Sequence, residues 1–193
     1  MNKLVEMISE IKPSYILNFA AQGMVAESWD APEDWYNTNL LSQVKFIENL
    51  KNYNFIEKYI QFTTPEVYGN TNGWIDETQH FNPTTPYAVS RAAFDFHLKN
   101  MHEAYNFPVI FTRAANVYGP GQQLYRIIPR TIMAIKLKEK FPLHGNGLSE
   151  RSFVHIQDVA EAISLIIKNG DIGNTYHIST NNVISINSLV KKI

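Results

Sequence analysis

The 193-residue sequence has no cysteine, which excludes disulfide bonds and thiolate chemistry. It has no block of basic residues either: 17 lysines and arginines are balanced by 18 aspartates and glutamates, which argues against a surface that tracks nucleic-acid phosphates. No apolar run approaches the length of a membrane span, and the first residues have amphipathic spacing rather than a signal-like apolar core. Together these absences predict a soluble, cytoplasmic protein.

Metal-binding patterns are missing as well. The six histidines are scattered along the chain, and His97 and His102, five residues apart, do not share a helical face. Since there is no cysteine and no paired ligand spacing, we predict no metal site.

What the sequence does contain is a regular alternation of apolar strands and amphipathic helices. Strands are predicted at residues 14–21 (fully buried), 55–62, 107–114 and, as the last strand, 174–180. Helices are predicted at residues 1–11, 33–53, 87–105, 127–140 and 158–170, the last with Asp158 as its N-cap, and "NSLVKKI" looks like the start of another. The alternation predicts an α/β fold with a doubly wound parallel sheet covered on both faces.

Loops at the carboxyl ends of parallel strands are the usual ligand sites of such sheets. Three predicted loops meet that condition, those after Ala21, Phe62 and Ala114. The second begins with "TTPEVYG", which puts Thr64 and Glu66 where chemistry is expected, although an ordinary turn with a solvated glutamate is the alternative. The third, "NVYGPGQQ", is predicted to be irregular because of its Gly-Pro-Gly.

The segment "TPYAVSR" carries a second candidate pair. Tyr87 and Arg91 are four residues apart at a helix start, so their side chains lie on the same face. A cation near a phenol stabilises the phenolate and lowers the phenol's pKa, which gives a usable base near neutral pH. The alternative is an ordinary surface contact between residues one helical turn apart.

Seven segments, in one order along the chain, resemble the nucleotide-sugar dehydratases and epimerases of the extended short-chain dehydrogenase/reductase family, and most closely the dTDP-glucose 4,6-dehydratases. They are "LNFAAQ" with "ESW", "YNTNL", "TTPEVYG", "DETQHFNPTTPYAVSRAA", "TRAANVYGPGQ", "GNGLSERSFVHIQDVAEAI" and "GNTYHIS". The resemblance covers essentially the whole chain. It implies a Rossmann-like fold, the cofactor NAD, a nucleotide-diphosphate sugar as substrate and a homodimer.

The resemblance also implies roles for the residues of both candidate segments. Tyr87 matches the base that removes the proton of the sugar 4-hydroxyl, and Thr64 matches the residue that hydrogen-bonds that hydroxyl. Arg91 occupies a position that is nearly always lysine in the family; arginine keeps the positive charge but hardly ever releases a proton. Glu66 matches the base that removes the C5 proton of the 4-keto sugar. Pro65 stands where the nearest relatives have an acid for the departing 6-hydroxyl, so Glu66 would serve both steps.

Further matches concern binding. Ala20 and Ala21 would lie against NAD together with Tyr87 and Arg91, and tight core packing is the alternative explanation of their small size. Substrate contacts are implied for Asn116, Arg126 and Arg151 beside Thr64 and Glu66, with a solvated surface position as the alternative for Arg126. Asn39 matches an asparagine that braces the site, and a local cap is its alternative.

One family feature is absent from this sequence. Its nine glycines form no G-x-G-x-x-G, the loop that holds the cofactor pyrophosphate on the first βα turn. Matched to the family, the chain lacks the first βα units and has part of the small C-terminal substrate lobe: residues 1–193 are a single partial domain, with 1–120 Rossmann-like and about 121–193 partly in the lobe. We therefore expect a truncated chain that binds NAD weakly or not at all by itself.

The predicted activity is a 4,6-dehydration, that is, oxidation at C4 followed by loss of water across C5 and C6. Three alternatives stay open: an epimerase, a decarboxylase, and an inactive truncated domain. Glu66 favours the lyase because simple epimerases usually lack it.

Overall fold

The computed structural model describes residues 2–71, 73–78 and 80–193. Two compact units are present, one formed by Met1–Arg113 with Ile163–His177 and the other by Ala114–Ala162 with Ile178–Ile193. Each compact unit is made of two separate segments of the chain. The division into domains at 1–120 and 121–193 stays a prediction.

Helices and strands alternate along the chain, as the sequence predicts. In the first part of the chain they are α1 (Asn2–Ile11), β1 (Tyr15–Asn18), α2 (Pro32–Tyr36), α3 (Ser42–Leu50), β2 (Lys58–Thr63), α4 (Pro86–Tyr105) and β3 (Val109–Ala114). They continue with β4 (Asn116–Tyr118), α5 (Ile127–Leu137), β5 (Glu150–His155), α6 (Ile156–Asn169), β6 (Thr175–Ile178), β7 (Val183–Ser185) and α7 (Ile186–Lys192). Short 3-10 turns lie at Glu27–Trp29, Pro65–Tyr68 and His144–Gly147, and a π-helical turn lies at Asn37–Leu41.

The described strands β1, β2, β3 and β6 form a sheet in that order. β1 pairs in parallel with β2, and β2 pairs in parallel with β3, with Thr63 opposite Arg113. The carboxyl ends of these three strands therefore meet at one edge of the sheet. The predicted α/β, Rossmann-like fold is confirmed.

Helix α4 has clear start and stop signals. The side chain of Thr85 accepts a hydrogen bond from Ala88 N at 3.2 Å, and Pro86 occupies the first helical position, where its missing N–H costs nothing. The helix ends at Asn106, whose left-handed backbone (φ 55°) allows its N–H to bond to His102 O. The predicted bounds of this helix are correct to within one residue.

The core of the first unit lies between the sheet and helices α1, α3 and α4. Phe94, Leu98 and Met101 of α4 are buried there, and each such side chain contributes roughly 1.5–3 kcal/mol by leaving water. Phe96 on the same helix is 45% exposed and lies outside this core.

The first strand departs from its prediction. β1 spans Tyr15–Asn18 rather than 14–21, and Tyr15 and Leu17 are 46% and 38% exposed. Tyr15 and Leu17 lie on one face of the strand and Ile16 and Asn18 on the other, so one face of β1 is left uncovered within the described residues.

Other boundaries also differ. The helix predicted at 33–53 is divided by the π-helical turn, and β2 begins at Lys58 instead of residue 55. The predicted N-cap Asp158 lies inside the first turn of α6, because β5 runs directly into that helix at Ile156. Met1, which the first helix prediction included, is outside the described residues.

In the second unit the described strands follow the order β4-β5-β7, with β4 and β5 parallel and β5 and β7 antiparallel. None of these three strands was predicted. β4 and β7 have three residues each, too few for a periodic pattern, and β4 also lies in the segment predicted to be irregular. None of the helices in residues 2–71, 73–78 and 80–193 is long and apolar enough to cross a membrane.

Candidate active site

The segment "TTPEVYG" forms a capped turn at the carboxyl end of β2. Thr64 has an extended backbone, and its Oγ1 accepts a hydrogen bond from Glu66 N at 3.2 Å, which caps the 3-10 turn Pro65–Tyr68. Gly69 ends the turn with φ at 67°, and a Cβ there would lie 2.1 Å from Asn82 O, so no other residue fits without a shift of the backbone. The turn fixes a half-buried Glu66 directly beyond the strand.

Thr64 keeps a donor for a ligand. Its side chain is buried at 7% exposure, and its oxygen is used as an acceptor by the cap. The hydroxyl hydrogen has no recorded acceptor within the described residues, so it can be donated to a substrate oxygen.

Tyr87 lies at the second position of α4, with its main chain held from both sides. Its N–H donates to Ser28 Oγ at 3.1 Å, and its carbonyl accepts from Ser90 Oγ at 2.7 Å. Both serines are fully buried, whereas the tyrosine ring is half-buried. The phenol is therefore presented from a fixed backbone.

Asn39 connects this helix to the loop after β1. From the π-helical turn, its Oδ1 accepts from Gln22 N at 2.7 Å, and its Nδ2 donates to Gln22 O at 3.0 Å and to Ser90 Oγ at 3.1 Å. The asparagine is fully buried. The alternative of a local cap is wrong, since both partners are distant in sequence, and π-helical turns are frequent at functional sites.

Arg91 is buried at 2% exposure, so the alternative of a surface contact is wrong. Its Nη2 donates to the main-chain carbonyl of Phe62, next to the strand end that carries Thr64. Its Nε and Nη1 are buried without a hydrogen-bond partner in the described part of the chain. Buried donors are almost always satisfied in proteins, so two such atoms beside a candidate site are suited to a ligand oxygen.

The loop after β1 exposes small side chains on a fixed main chain. Ala20 and Ala21 are both exposed, which rules out tight core packing as the reason for their size. The N–H of Ala20 donates to Asn18 Oδ1 at 3.1 Å, and its carbonyl accepts from Gln43 Nε2 at 3.3 Å. With Asn39 on Gln22, three side chains hold this loop.

A buried polar cluster supports that loop. Asn18 Nδ2 lies within hydrogen-bond distance of Gln43 Oε1, the Tyr59 hydroxyl and Gln61 Oε1, at 2.7–2.9 Å. Burial raises the pKa of Tyr59, so its phenol stays protonated near neutral pH. Sequence reasoning missed Asn18, Gln43, Ser28 and Ser90; the available signal was a polar residue inside an apolar strand or on the inner face of a helix.

The second unit carries the three residues proposed to contact the substrate diphosphate. Asn116 of β4 donates from Nδ2 to Ser152 O at 3.2 Å, and Arg151 lies on the neighbouring strand β5. Arg126 precedes α5, with its guanidinium 5.6 Å from the centre of the Tyr125 ring. All three side chains are exposed, and neither arginine has an ion-pair partner among the described residues.

The described residues contain no group of three or more histidine, aspartate or glutamate side chains placed to hold a metal ion. The candidate site in the first unit therefore consists of Thr64, Glu66, Tyr87 and Arg91, with Ala20 and Ala21 at the adjacent strand end. It offers a carboxylate, a phenol, a hydroxyl and a buried cation, a set suited to proton transfer.

Comparison with known proteins identifies the family. The family model described as GDP-mannose 4,6 dehydratase matches residues 1–193. A dTDP-D-glucose 4,6-dehydratase from Mus musculus is 35% identical over 98% of this chain, which covers 54% of that protein. The chain thus spans about half the length of the curated relatives it matches.

Solved structures agree. The crystal structure of a dTDP-glucose 4,6-dehydratase from Bacillus anthracis in complex with NAD has a TM-score of 0.89 and 32% identity, covering 99% of this chain and 59% of that one. A UDP-glucose 4-epimerase from Thermotoga maritima, solved with UDP-glucose, has a TM-score of 0.89 and 25% identity, covering 98% of this chain and 63% of that one. The chain belongs to the GDP-mannose 4,6 dehydratase family, within the nucleotide-sugar dehydratases and epimerases of the extended short-chain dehydrogenase/reductases.

Proposed function

We propose that this chain carries the catalytic residues of an NAD-dependent nucleotide-sugar 4,6-dehydratase. The observation that carries the proposal is Glu66, held by the Thr64 cap on a rigid turn at the carboxyl end of β2. Ligands of parallel α/β sheets bind at that edge, and Tyr87 and Arg91 follow on the helix α4. A half-buried carboxylate there is suited to removing a carbon-bound proton.

The residues after β1 fit the reactive end of a dinucleotide cofactor. Ala20 and Ala21 leave room at the strand end, and the unpartnered N–H groups of Arg91 suit ribose hydroxyls. When bound, NAD would take the hydride from C4 and, after the elimination, return it to C6 as a proton returns to C5, so that the net change is the loss of one water. Tyr87 accepts the proton of the 4-hydroxyl in that step, and Thr64 donates a hydrogen bond to the same oxygen.

Arg91 follows Tyr87 by one helical turn on α4, and its guanidinium is buried. Its proposed part in the proton transfer is electrostatic, through a fixed positive charge, and it relays no proton.

Glu66 performs the elimination in this proposal. Its carboxylate takes the proton from C5, the C5–C6 double bond forms as the C6–O bond breaks, and the carboxyl returns the proton to the departing hydroxyl. Pro65 has no acid for that second transfer, so one carboxyl serves both. The fixed φ of Pro65 stabilises the turn that orients the carboxyl of Glu66.

Asn116, Arg126 and Arg151 are proposed to bind the substrate diphosphate. Arginine presents a fork of N–H donors that matches phosphate oxygens, and these two guanidiniums are exposed and free of ion pairs within the described residues. The nucleobase and the hexose are left open by this set, because none of the three contacts is specific for a base.

The proposal includes a homodimer in the cytoplasm. Val89 and Phe96, seven residues apart on α4, lie on one face of that helix and are 39% and 45% exposed, and Leu41 on the π-helical turn is 51% exposed. Exposed apolar side chains on one helical face are typical of a protein interface.

An epimerase is the second candidate, favoured by the missing acid at Pro65 and by the similarity to the Thermotoga structure. The test is to incubate the full protein with NAD and, separately, dTDP-glucose, UDP-glucose and GDP-mannose, and to follow the sugar by mass spectrometry after a chromatographic step that separates 4-epimers. Loss of one water from a substrate is the expected result. A 4-epimer of unchanged mass would establish the epimerase, and no product from any of the three would support the inactive domain.

A further inference from the structure

Arg113 of β3 is buried in the middle of a polar network that the proposed chemistry does not use. Its Nη2 lies 2.8 Å from Asp95 Oδ2, and Thr63 Oγ1 donates to the same oxygen at 3.0 Å. All three side chains are buried. Burial raises the pKa of Asp95, and the guanidiniums of Arg113 and Arg91 oppose that rise.

The other end of the guanidinium reaches the turn that carries Glu66. Arg113 Nη1 donates to the Tyr68 hydroxyl at 3.3 Å, and the guanidinium carbon lies 5.4 Å from the centre of the Tyr68 ring and 4.9 Å from that of Phe81. The Tyr68 hydroxyl also donates to Thr78 O at 3.1 Å and lies 2.9 Å from His177 Nε2. Four segments of the chain therefore meet at one phenol.

The two ends of Arg113 belong to the two catalytic segments. Tyr68 is the last residue of the 3-10 turn and lies two residues after Glu66, while Asp95 lies on α4 one helical turn after Arg91. A planar fork can bond to a carboxylate on one side and a phenol on the other at the same time, which a lysine ammonium on a flexible stem does less well.

We propose that Arg113 is a positioning residue that holds the Glu66 turn against α4 through Tyr68 and Asp95. The catalytic part of this inference rests on the proposed function. Arg113 itself is buried, so no contact with the substrate is assigned to it. Its proposed role is to hold the carboxylate of Glu66 in the orientation that removal of the C5 proton needs.

Tyr68→Phe is the variant of choice, because it keeps the ring and its packing but removes the hydroxyl that joins Arg113 to the turn. The matched control is Tyr176→Phe, which removes a hydroxyl bonded to Asp171 N in an exposed turn. The first measurement is hydrogen exchange of the amides of Gly69 and Asn82, which bond to Glu66 O and Val67 O. We expect faster exchange at both amides in Tyr68→Phe, unchanged exchange at the β2 amides, and no change in the control.

The second measurement separates positioning from loss of stability. In the full protein with the sugar nucleotide it turns over, Tyr68→Phe should slow elimination by about 10-fold or more while C4 oxidation stays fast, because small displacements of a base are costly. Bound NADH, read by its absorbance, should then accumulate. General destabilisation would lower both steps together.

Unchanged exchange at Gly69 and Asn82 would overturn the proposal, as would equal slowing of oxidation and elimination. Arg113→Lys keeps a positive charge beside Asp95 but loses the planar guanidinium that bonds to Asp95 and Tyr68 at the same time. This variant should show the same accumulation of NADH. If the wild-type protein converts none of the sugar nucleotides while Tyr68→Phe and Arg113→Lys both speed exchange at Gly69 and Asn82, the proposed function fails and the holding of the turn by Arg113 stands.

Discussion

The proposed catalytic residues and the proposed diphosphate-binding residues lie in very different surroundings. Thr64, Tyr87 and Arg91 are held by caps and by buried partners in the first unit. Asn116, Arg126 and Arg151 of the second unit are exposed. The difference teaches that the side chains proposed for proton transfer are fixed by the fold, whereas those proposed for the diphosphate lie on the surface with few constraints from the described residues.

The largest expected effect concerns the side chains proposed for proton transfer. Tyr87→Phe removes the proposed base, so turnover should fall by about 10²- to 10⁴-fold, the usual contribution of a general base. Neither C4 oxidation nor elimination should remain, because the first is needed for the second. Single-turnover NADH absorbance with the full protein measures this, and rapid NADH formation in the variant would assign the base elsewhere.

Arg113→Met should lower the free energy of unfolding by about 3–5 kcal/mol, because it leaves the buried carboxylate of Asp95 without its ion-pair partner. Arg151→Met is the matched control in the second unit and should unfold like the wild type, since that side chain is exposed. Urea denaturation compares the two. If both variants lower the free energy of unfolding by the same amount, the two regions do not differ in how firmly their side chains are held.

Phe94→Ala should cost about 3–5 kcal/mol in unfolding free energy, because Phe94 is fully buried in the core of the first unit. Phe96→Ala, two residues away and 45% exposed, should cost much less. In light scattering, Phe96→Ala should instead weaken the proposed dimer. If Phe96→Ala forms a dimer as stable as that of the wild type, this face of α4 is not part of the dimer interface.

Arg151→Gln should weaken substrate binding rather than catalysis. A charge-assisted hydrogen bond is worth roughly 1.5–3 kcal/mol, so we expect KM to rise by about 10-fold or more with kcat nearly unchanged. Steady-state kinetics at low and high salt provide the measurement, and the effect should shrink as salt screens the exposed charge. A fall in kcat at constant KM would contradict the proposed role.

The smallest expected effect is on the pH dependence of stability. Burial lowers the pKa of His177, and the charge of Glu77 opposes this. The unfolded chain then binds the proton more readily, so this contribution to stability is complete above the ordinary histidine pKa of about 6.5 and declines as the pH falls below it. In His177→Gln, the thermal midpoint should change less with pH between about pH 7.5 and 5.5 than it does in the wild type. If the midpoint of the variant changes as much as that of the wild type, the pH dependence comes from other groups, such as His97.

The sequence predicted the parts of the fold that depend on local pattern. Helix α4 was predicted from a local pattern in the sequence, and the candidate ligand-binding strand ends follow from the alternation of elements. The Thr63–Asp95–Arg113 network was not predicted, because its members are 18 to 50 residues apart and each alone looks like an ordinary polar residue. The exposure of Tyr15 and Leu17 was missed because an apolar strand sequence does not show which of its faces another element covers.

The most direct test of the central claim is the exchange of solvent deuterium into C5 of the sugar, measured with bound-NADH absorbance in a single turnover of Glu66→Gln. The account predicts that NADH forms at a normal rate, because Tyr87 and the cofactor perform the oxidation, while C5 exchange and the dehydrated product disappear. Normal C5 exchange and normal product in Glu66→Gln would contradict the account. Glu66 would then be a bystander, and another group would have to remove the C5 proton.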